Sequence, residues 1–291
     1  VIRYEVGDAA QVLARLNESS FSCCITSPPY YKLRNYLSDE HSDKQAEIGC
    51  EPTPQAYLNK LIAVFREVRR LLRDSGTLWL VIGDSYDDAG SLLGMPWRLA
   101  LALRDDGWVL RQEIIWSKPD PMPQNMINRC TTSHESIFLF SKSMRYHFDA
   151  KAIAEDAVCG PGRTSDVERP RGHYKGKWSE PLRGSRQDGS FRAVRETRNR
   201  RSVWTVPTPN YAGAHYATFP PRVVELCILA GCPPGGRVLD PFGGSGTTAL
   251  VADRLQRHAM LIDINEVFIE QARRRIEREA PLLSEEEAAT L

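Results

Sequence analysis

Apolar runs too short for helices alternate along this chain with amphipathic stretches too long for strands, and that alternation restricts the fold more than any other feature. Tyr4-Glu5-Val6 runs into Gly7-Asp8 and then into a helical pattern over 9–16. Cys23-Cys24-Ile25-Thr26 stops at Ser27-Pro28-Pro29, because proline cannot donate to a strand ladder. Thr53 and Pro54 open a long helix to residue 72, with Thr53 as its cap and apolar side chains at helical spacing. Residues 33–49 between them are polar and are expected to form a mobile loop. Gly76 introduces a buried strand over 77–82 that ends at Gly83-Asp84, and a helix follows over 96–104. Residues 109–116 and 137–140 read as further strands, expected to be antiparallel. Helices at 221–230, 247–255 and from 266 onward interleave with strands at 237–239 and 259–262. This order predicts a doubly wound, mostly parallel α/β sheet with an antiparallel strand pair. Ligands of such sheets bind at the carboxyl ends of strands.

Three strand ends carry unusual residues. Between strand 237–239 and the next helix lies Asp240-Pro241-Phe242-Gly243-Gly244-Ser245-Gly246-Thr247-Thr248, whose glycines let backbone N–H groups approach a ligand closely. No lysine follows, which excludes a phosphate loop for nucleoside triphosphates. The following strand ends on Asp263, an acid suited to a ribose diol. Alone, these features fit NAD, a flavin, S-adenosylmethionine or a purely structural turn. Ser27-Pro28-Pro29-Tyr30 is more particular. Its prolines fix φ and pin a short turn. The turn aims a serine oxygen and a backbone carbonyl at one point, and both accept hydrogen bonds from an exocyclic amino group. Tyr30 offers a flat face to a heterocycle. The plainer alternative is a rigid loop without chemistry. The third strand end is Gly7-Asp8.

Charge is balanced in total, with 38 Lys and Arg against 37 Asp and Glu, but not along the chain. Residues 159–202 hold twelve basic and five acidic side chains, with His173, Tyr174, Trp178 and Phe191 among them. That mixture suits the phosphates and bases of a nucleic acid. It equally suits a solvated insertion with no ligand. Seven cysteines, at 23, 24, 50, 130, 159, 227 and 232, include no Cys-x-x-Cys pair, so the expectation is reduced thiols in a cytoplasmic protein. The histidines show no metal-ligand spacing, and no metal is expected. No apolar run approaches the roughly 20 residues of a membrane span, and a secretory leader is not expected.

Thr26 to Tyr30 resembles the catalytic motif of S-adenosylmethionine-dependent DNA amino-methyltransferases, and Asp240 to Thr247 resembles their cofactor loop. The catalytic motif comes first, the cofactor motif second, and a basic variable segment lies between. That order is similar to the beta group of these enzymes, which includes restriction-modification and orphan methylases. The resemblance covers nearly the whole chain and is weakest over 151–202. It implies a Rossmann-like methyltransferase sheet with a catalytic part (1–150), an inserted basic target-recognition region (151–202), a cofactor-binding part (203–281) and an acidic tail (282–291). It assigns S-adenosyl-L-methionine to Asp8, Ala9, Thr26, Asp240, Pro241, Phe242, Gly243, Gly244, Ser245, Gly246, Thr247, Asp263 and Ile264. His215, Thr218 and Phe219 would close over its methionine end.

The resemblance makes Ser27, Pro28, Pro29 and Tyr30 catalytic. It makes double-stranded DNA the partner, contacted by Arg192, Arg195, Arg198, Arg200 and Arg201. Serine at the head of the turn is typical of N4-cytosine enzymes, whereas N6-adenine enzymes usually carry aspartate. A homodimer and a cognate restriction endonuclease follow by analogy alone. The rivals are N6-adenine methylation, methylation of a protein amide or of RNA, and a DNA-binding module with an idle cofactor pocket. A thiolate mechanism at cytosine C5 is excluded, since no Cys here follows a Pro. His134-Glu135 is expected to be a satisfied structural pair at a strand entrance, and Trp79, Trp97, Trp108 and Trp116 to be core. Asp84 either faces the cleft or caps the turn after it.

Overall fold

Residues 1–156, 197–208 and 220–279 are described by a computed structural model. The N-terminal elements are β1 (Ile2–Val6), α1 (Ala9–Ala14), β2 (Phe21–Thr26), α2 (Pro54–Leu71) and β3 (Leu72–Ile82). Then come α3 (Met95–Asp105), β4 (Val109–Ser117), β5 (His134–Ser141) and the short strands β6 (Glu155–Asp156), β7 (Thr197–Arg198) and β8 (Val203–Thr205). The chain continues with α4 (Pro221–Gly231), β9 (Arg237–Asp240), α5 (Thr247–Arg254), β10 (His258–Asp263) and α6 (Glu266–Glu279).

Eight strands form one sheet in the order β1-β10-β9-β2-β3-β5-β4-β8. Neighbours are parallel except at β5, which runs against both β3 and β4. The strand order reverses where β9 meets β2, which puts a crevice at the carboxyl ends of these strands. The alternation of side chains along each strand feeds two cores. In β3, Leu78, Leu80 and Ile82 join Leu61 and Phe65 of α2 and Leu99 of α3 on one face, while Trp79 and Val81 join Val224 and Ile228 of α4 on the other. Helices α1 to α3 therefore cover one face and α4 to α6 the other.

Local chemistry sets the element ends. The Thr53 hydroxyl accepts the Ala56 N–H at 3.2 Å, and Pro54 takes the first turn of α2, where no donor is needed. Helix α2 passes into β3 at Leu72 without a loop, so the strand begins earlier than Gly76. Two sequence expectations fail on packing. Trp97 is 46 % exposed on α3, edge-on to Phe138, and is not core, whereas Trp79, Trp108 and Trp116 are buried. Residues 33–49 are not an unpacked loop. Leu37 and Ile48 are buried, and so are Glu47 and Glu51, which are paired with Lys44 and Lys60 at 2.8 and 3.1 Å.

Among the described residues, no helix is long and apolar enough to cross a membrane, and no cluster of His, Cys, Asp and Glu could hold a metal.

Candidate active site

The carboxyl ends of β1, β10, β9 and β2 surround one cleft, about 970 Å³ of empty space including its open mouth. Asp8, Ala9, Pro241, Phe242 and Gly243 line it, as do Gly244, Ser245, Thr247, Asp263 and Ile264. Ser27 and Pro29 form the wall next to them. Two sequence motifs more than 200 residues apart thus meet because β2 and β9 are adjacent.

Thr26, Asp240 and Gly246 are placed differently from the cofactor contacts expected of them. None of the three lines the cleft. Asp240 is buried behind it, accepting the hydroxyls of Thr26 and Thr248, each at 2.6 Å, and the Phe242 N–H at 3.1 Å. One carboxyl therefore ties the end of β2 to the start of α5. Burial pushes its pKa up to about 6, although all three hydrogen bonds favour the ionised form. Gly246 turns the chain at φ +77°, and a Cβ there would lie 2.7 Å from the Cβ of Ala272 on α6. Its glycine serves helix packing.

Asp263 faces the cleft while accepting the N–H groups of Asn265 and Gly244, both at 2.9 Å. Burial pushes its carboxyl up to about 6, against those two donors. Asp8 caps α1 by accepting the Gln11 N–H at 3.2 Å. Arg275 of α6, unforeseen from sequence, reaches Ser245 and Thr247 with one guanidinium nitrogen at 3.0–3.3 Å and so braces the glycine turn from below. The cleft also takes Tyr36, Ala46, Glu47 and Ile48 from the segment after the Ser-Pro-Pro-Tyr turn, and Phe268 from α6. The Asn265 side chain holds this segment by donating to the Tyr36 carbonyl at 2.9 Å, and Tyr36 packs edge-on against Phe268. The only sequence signal for this wall was Leu37 and Ile48 beside two glutamates in a polar run.

At the Ser-Pro-Pro-Tyr turn the Tyr57 hydroxyl donates to the Pro29 carbonyl at 2.8 Å, while no described residue donates to the Pro28 carbonyl. The Tyr30 ring lies on Gly83, where a Cβ would sit 2.7 Å from the ring. Its hydroxyl donates to Glu135 at 2.6 Å, and the Ser27 hydroxyl donates to the Tyr30 oxygen at 3.5 Å. Glu135 also forms an ion pair with Lys118. The expectation for His134-Glu135 is therefore corrected. His134 is exposed, and Glu135 faces the Tyr30 hydroxyl. The reason is strand direction: β5 runs backward, so its first residues stand at the edge where its neighbours end. Asp84 caps, accepting the N–H groups of Ser85 and Met95 at 2.9 Å. Cys23, Cys24 and Cys227 are buried, and burial pushes their thiols well up, which leaves none of them a ready nucleophile.

Three of the five arginines expected on DNA are engaged in the protein. Strands β6 and β7 pair the two ends of the basic segment, and Glu155 accepts from Nε of Arg198 and of Arg201 at 2.8 and 2.7 Å. Arg200 donates to the Ile153 carbonyl at 2.8 Å. Arg192, Arg195, His215, Thr218 and Phe219 lie outside the described residues, as does the tail 282–291.

A crevice at the reversal point of a doubly wound sheet, a glycine turn and a strand-end acid define a Rossmann-like enzyme for a nucleoside cofactor. Comparison with known proteins narrows this. A family model described as DNA methylase matches residues 21–274. The type II methyltransferase M.SmaI of Serratia marcescens is 38% identical, over 94% of this chain and 90% of its own length. M.Cfr9I of Citrobacter freundii is 36% identical, over 94% and 87%. Among solved structures, the PvuII DNA methyltransferase (cytosine-N4-specific) superposes with a TM-score of 0.68 at 17% identity, over 96% of this chain and 90% of its own. TTHA0409 of Thermus thermophilus, solved with S-adenosyl-L-methionine, does so at 0.62 and 25% identity, over 97% and 95%. The chain belongs to the DNA methylase family of N6/N4 amino-methyltransferases, which take their methyl group from S-adenosyl-L-methionine.

Proposed function

We propose that this enzyme methylates the exocyclic N4 amine of cytosine, in a base flipped out of double-stranded DNA. The observation that carries this reading is Ser27, a neutral hydroxyl at the head of the Pro-Pro-Tyr turn and on the wall of the cleft. The cleft chemistry fits the cofactor: the carboxylates of Asp263 and Asp8 accept from ribose hydroxyls and the adenine amine, and Phe242, Ile48 and Phe268 supply apolar walls. When bound, S-adenosylmethionine supplies a methyl group on a cationic sulfur.

The protein's own task is to place and prepare the amine. Tyr57 occupies the Pro29 carbonyl, so the Pro28 carbonyl and Ser27 Oγ are the acceptors left for the two amino hydrogens. Holding both hydrogens draws the nitrogen toward tetrahedral geometry and localises its lone pair. Tyr30 stacks on the extruded base. Positioning and desolvation account for most of the acceleration, and the amine proton leaves late, to water. The basic segment, with Arg192 and Arg195, contacts DNA, and Arg198, Arg200 and Arg201 brace its stem. The names of two relatives, both type II methyltransferases, support a place in a type II system; a cognate endonuclease, a homodimer and a cytoplasmic location complete the reading by analogy alone.

The test is product identity. Unmethylated DNA of varied sequence is incubated with labelled cofactor, digested to nucleosides and analysed by mass spectrometry. N4-methylcytosine is the expected product. N6-methyladenine would overturn the base assignment and keep the family chemistry.

A further inference from the structure

Hydrogen bonds have direction, and the direction at Ser27 is set from outside the catalytic turn. Glu135 sits at the start of β5, between Lys118 at the end of β4 and Tyr30. An ionised carboxylate only accepts, and an ammonium only donates. Glu135, ion-paired with Lys118, accepts the single proton of the Tyr30 hydroxyl at 2.6 Å. Burial and the charge of Glu135 both push the Tyr30 pKa well above its ordinary value, which keeps that proton in place. The Tyr30 oxygen then has only lone pairs for its other neighbour, the Ser27 hydroxyl, 3.5 Å away. That contact is long, as catalytic hydrogen bonds often are before substrate binds.

We propose that Glu135, fixed by Lys118, orients a hydrogen-bond chain through Tyr30 that makes Ser27 Oγ an acceptor only, so that the site selects a base carrying an amino group over one carrying a carbonyl at the same position. This rests on the functional reading above and deepens it. A serine hydroxyl left free would rotate to suit either partner, accepting from an amine or donating to a carbonyl. Once its proton is committed to Tyr30, a carbonyl in the amine's place meets lone pairs with lone pairs. It also faces the Pro28 carbonyl, another acceptor. Cytosine and uracil differ chiefly in this group, and a site built around a committed hydrogen bond rejects the wrong partner strongly. Glu135 and Lys118 act through Tyr30, so they are positioning residues.

The experiment compares wild type with E135Q, Y30F and the double variant on a duplex carrying the mapped target. Three quantities are measured: the single-turnover methylation rate, the affinity for S-adenosylmethionine, and competition by the same duplex with uracil at the target. Glutamine keeps the volume of Glu135 but removes the charge, and it can present either an acceptor or a donor. Phenylalanine cuts the chain while keeping the ring on Gly83. Both single variants should bind cofactor like wild type, methylate more slowly, and lose about tenfold of the preference for the amino over the carbonyl duplex. The double variant should lose no more than the worse single, because both break one chain.

Wild-type discrimination in both single variants, or losses that multiply in the double, would overturn the proposal. So would a loss of cofactor affinity together with melting temperature in E135Q, which would mark Glu135 as scaffold only. If the wild type proves to make N6-methyladenine, the cytosine reading falls while this inference is judged in the same way, with hypoxanthine replacing uracil.

Discussion

Asp240 shows how a single residue can keep its place in a motif and change its meaning. Its position in the glycine-rich turn suggests a cofactor ligand, yet its oxygens face inward and hold Thr26 and Thr248 together. The burial that makes it a tie also raises its folded pKa from 3.8 to about 6. In the unfolded chain the group loses its proton near its ordinary value, whereas the folded protein still holds it between about pH 4 and 6. Binding of that extra proton stabilises the fold at the acid end, so its contribution falls as pH rises through this window and is level above it. The shift corresponds to about 3 kcal/mol at most. D240N has no such proton to lose. Relative to wild type, the melting temperature of D240N should therefore rise from pH 4 to pH 6 and stay flat beyond. A constant difference across that range would show that Asp240 titrates normally.

At the scale of elements, the site is an agreement between strand ends. Gly83 closes β3 with no side chain, and the Tyr30 ring takes the space a Cβ would need, 2.7 Å away. Gly83→Ala should push the ring off its seat and lower the methylation rate about a hundredfold, since small misplacements near reacting groups are costly. Cofactor affinity, measured by calorimetry, should hold, because Gly83 is not part of the cofactor wall. Near wild-type turnover in this variant would show that the ring position matters little. The reversed strand β5 is the other decisive element, because it delivers Glu135 to the edge where Tyr30 stands. The apolar run Ile137 to Phe140 reads as one strand of an antiparallel pair but does not say which of the two runs against the rest of the sheet, and that alone decides whether Glu135 is at the active edge or the far one.

Across the whole molecule, the two ends of the basic segment meet in a short paired stem. Asp156 pairs with Thr197 and Glu155 with Arg198, so the chain leaves and returns at one point. Paired residues of this kind lie about 5 Å apart, close enough for a short turn to join them. Replacing residues 157–196 by a Gly-Ser turn should leave the melting temperature and cofactor affinity near wild type and abolish DNA methylation. Retained site-specific methylation would move target recognition elsewhere on the molecule.

Local patterns along the chain already specify the alternation of strands and helices, the caps and breaks of the elements, and the three strand ends that converge on the cleft. A period of two or of 3.6, a Thr before a helix and a proline that cannot donate each act within a few residues. Ser27 to Tyr30 and Asp240 to Thr248 are legible for the same reason, since each motif is chemistry within one turn. Other features emerge only when the chain has folded: Asp240 faces inward, residues 33–49 pack into the cleft wall, Arg198 and Arg201 share Glu155, and Glu135 belongs to Tyr30. Each of these is a contact between segments distant in sequence or a choice of face. It depends on which strands become neighbours and which one runs against the rest, and both are set by how whole faces pack.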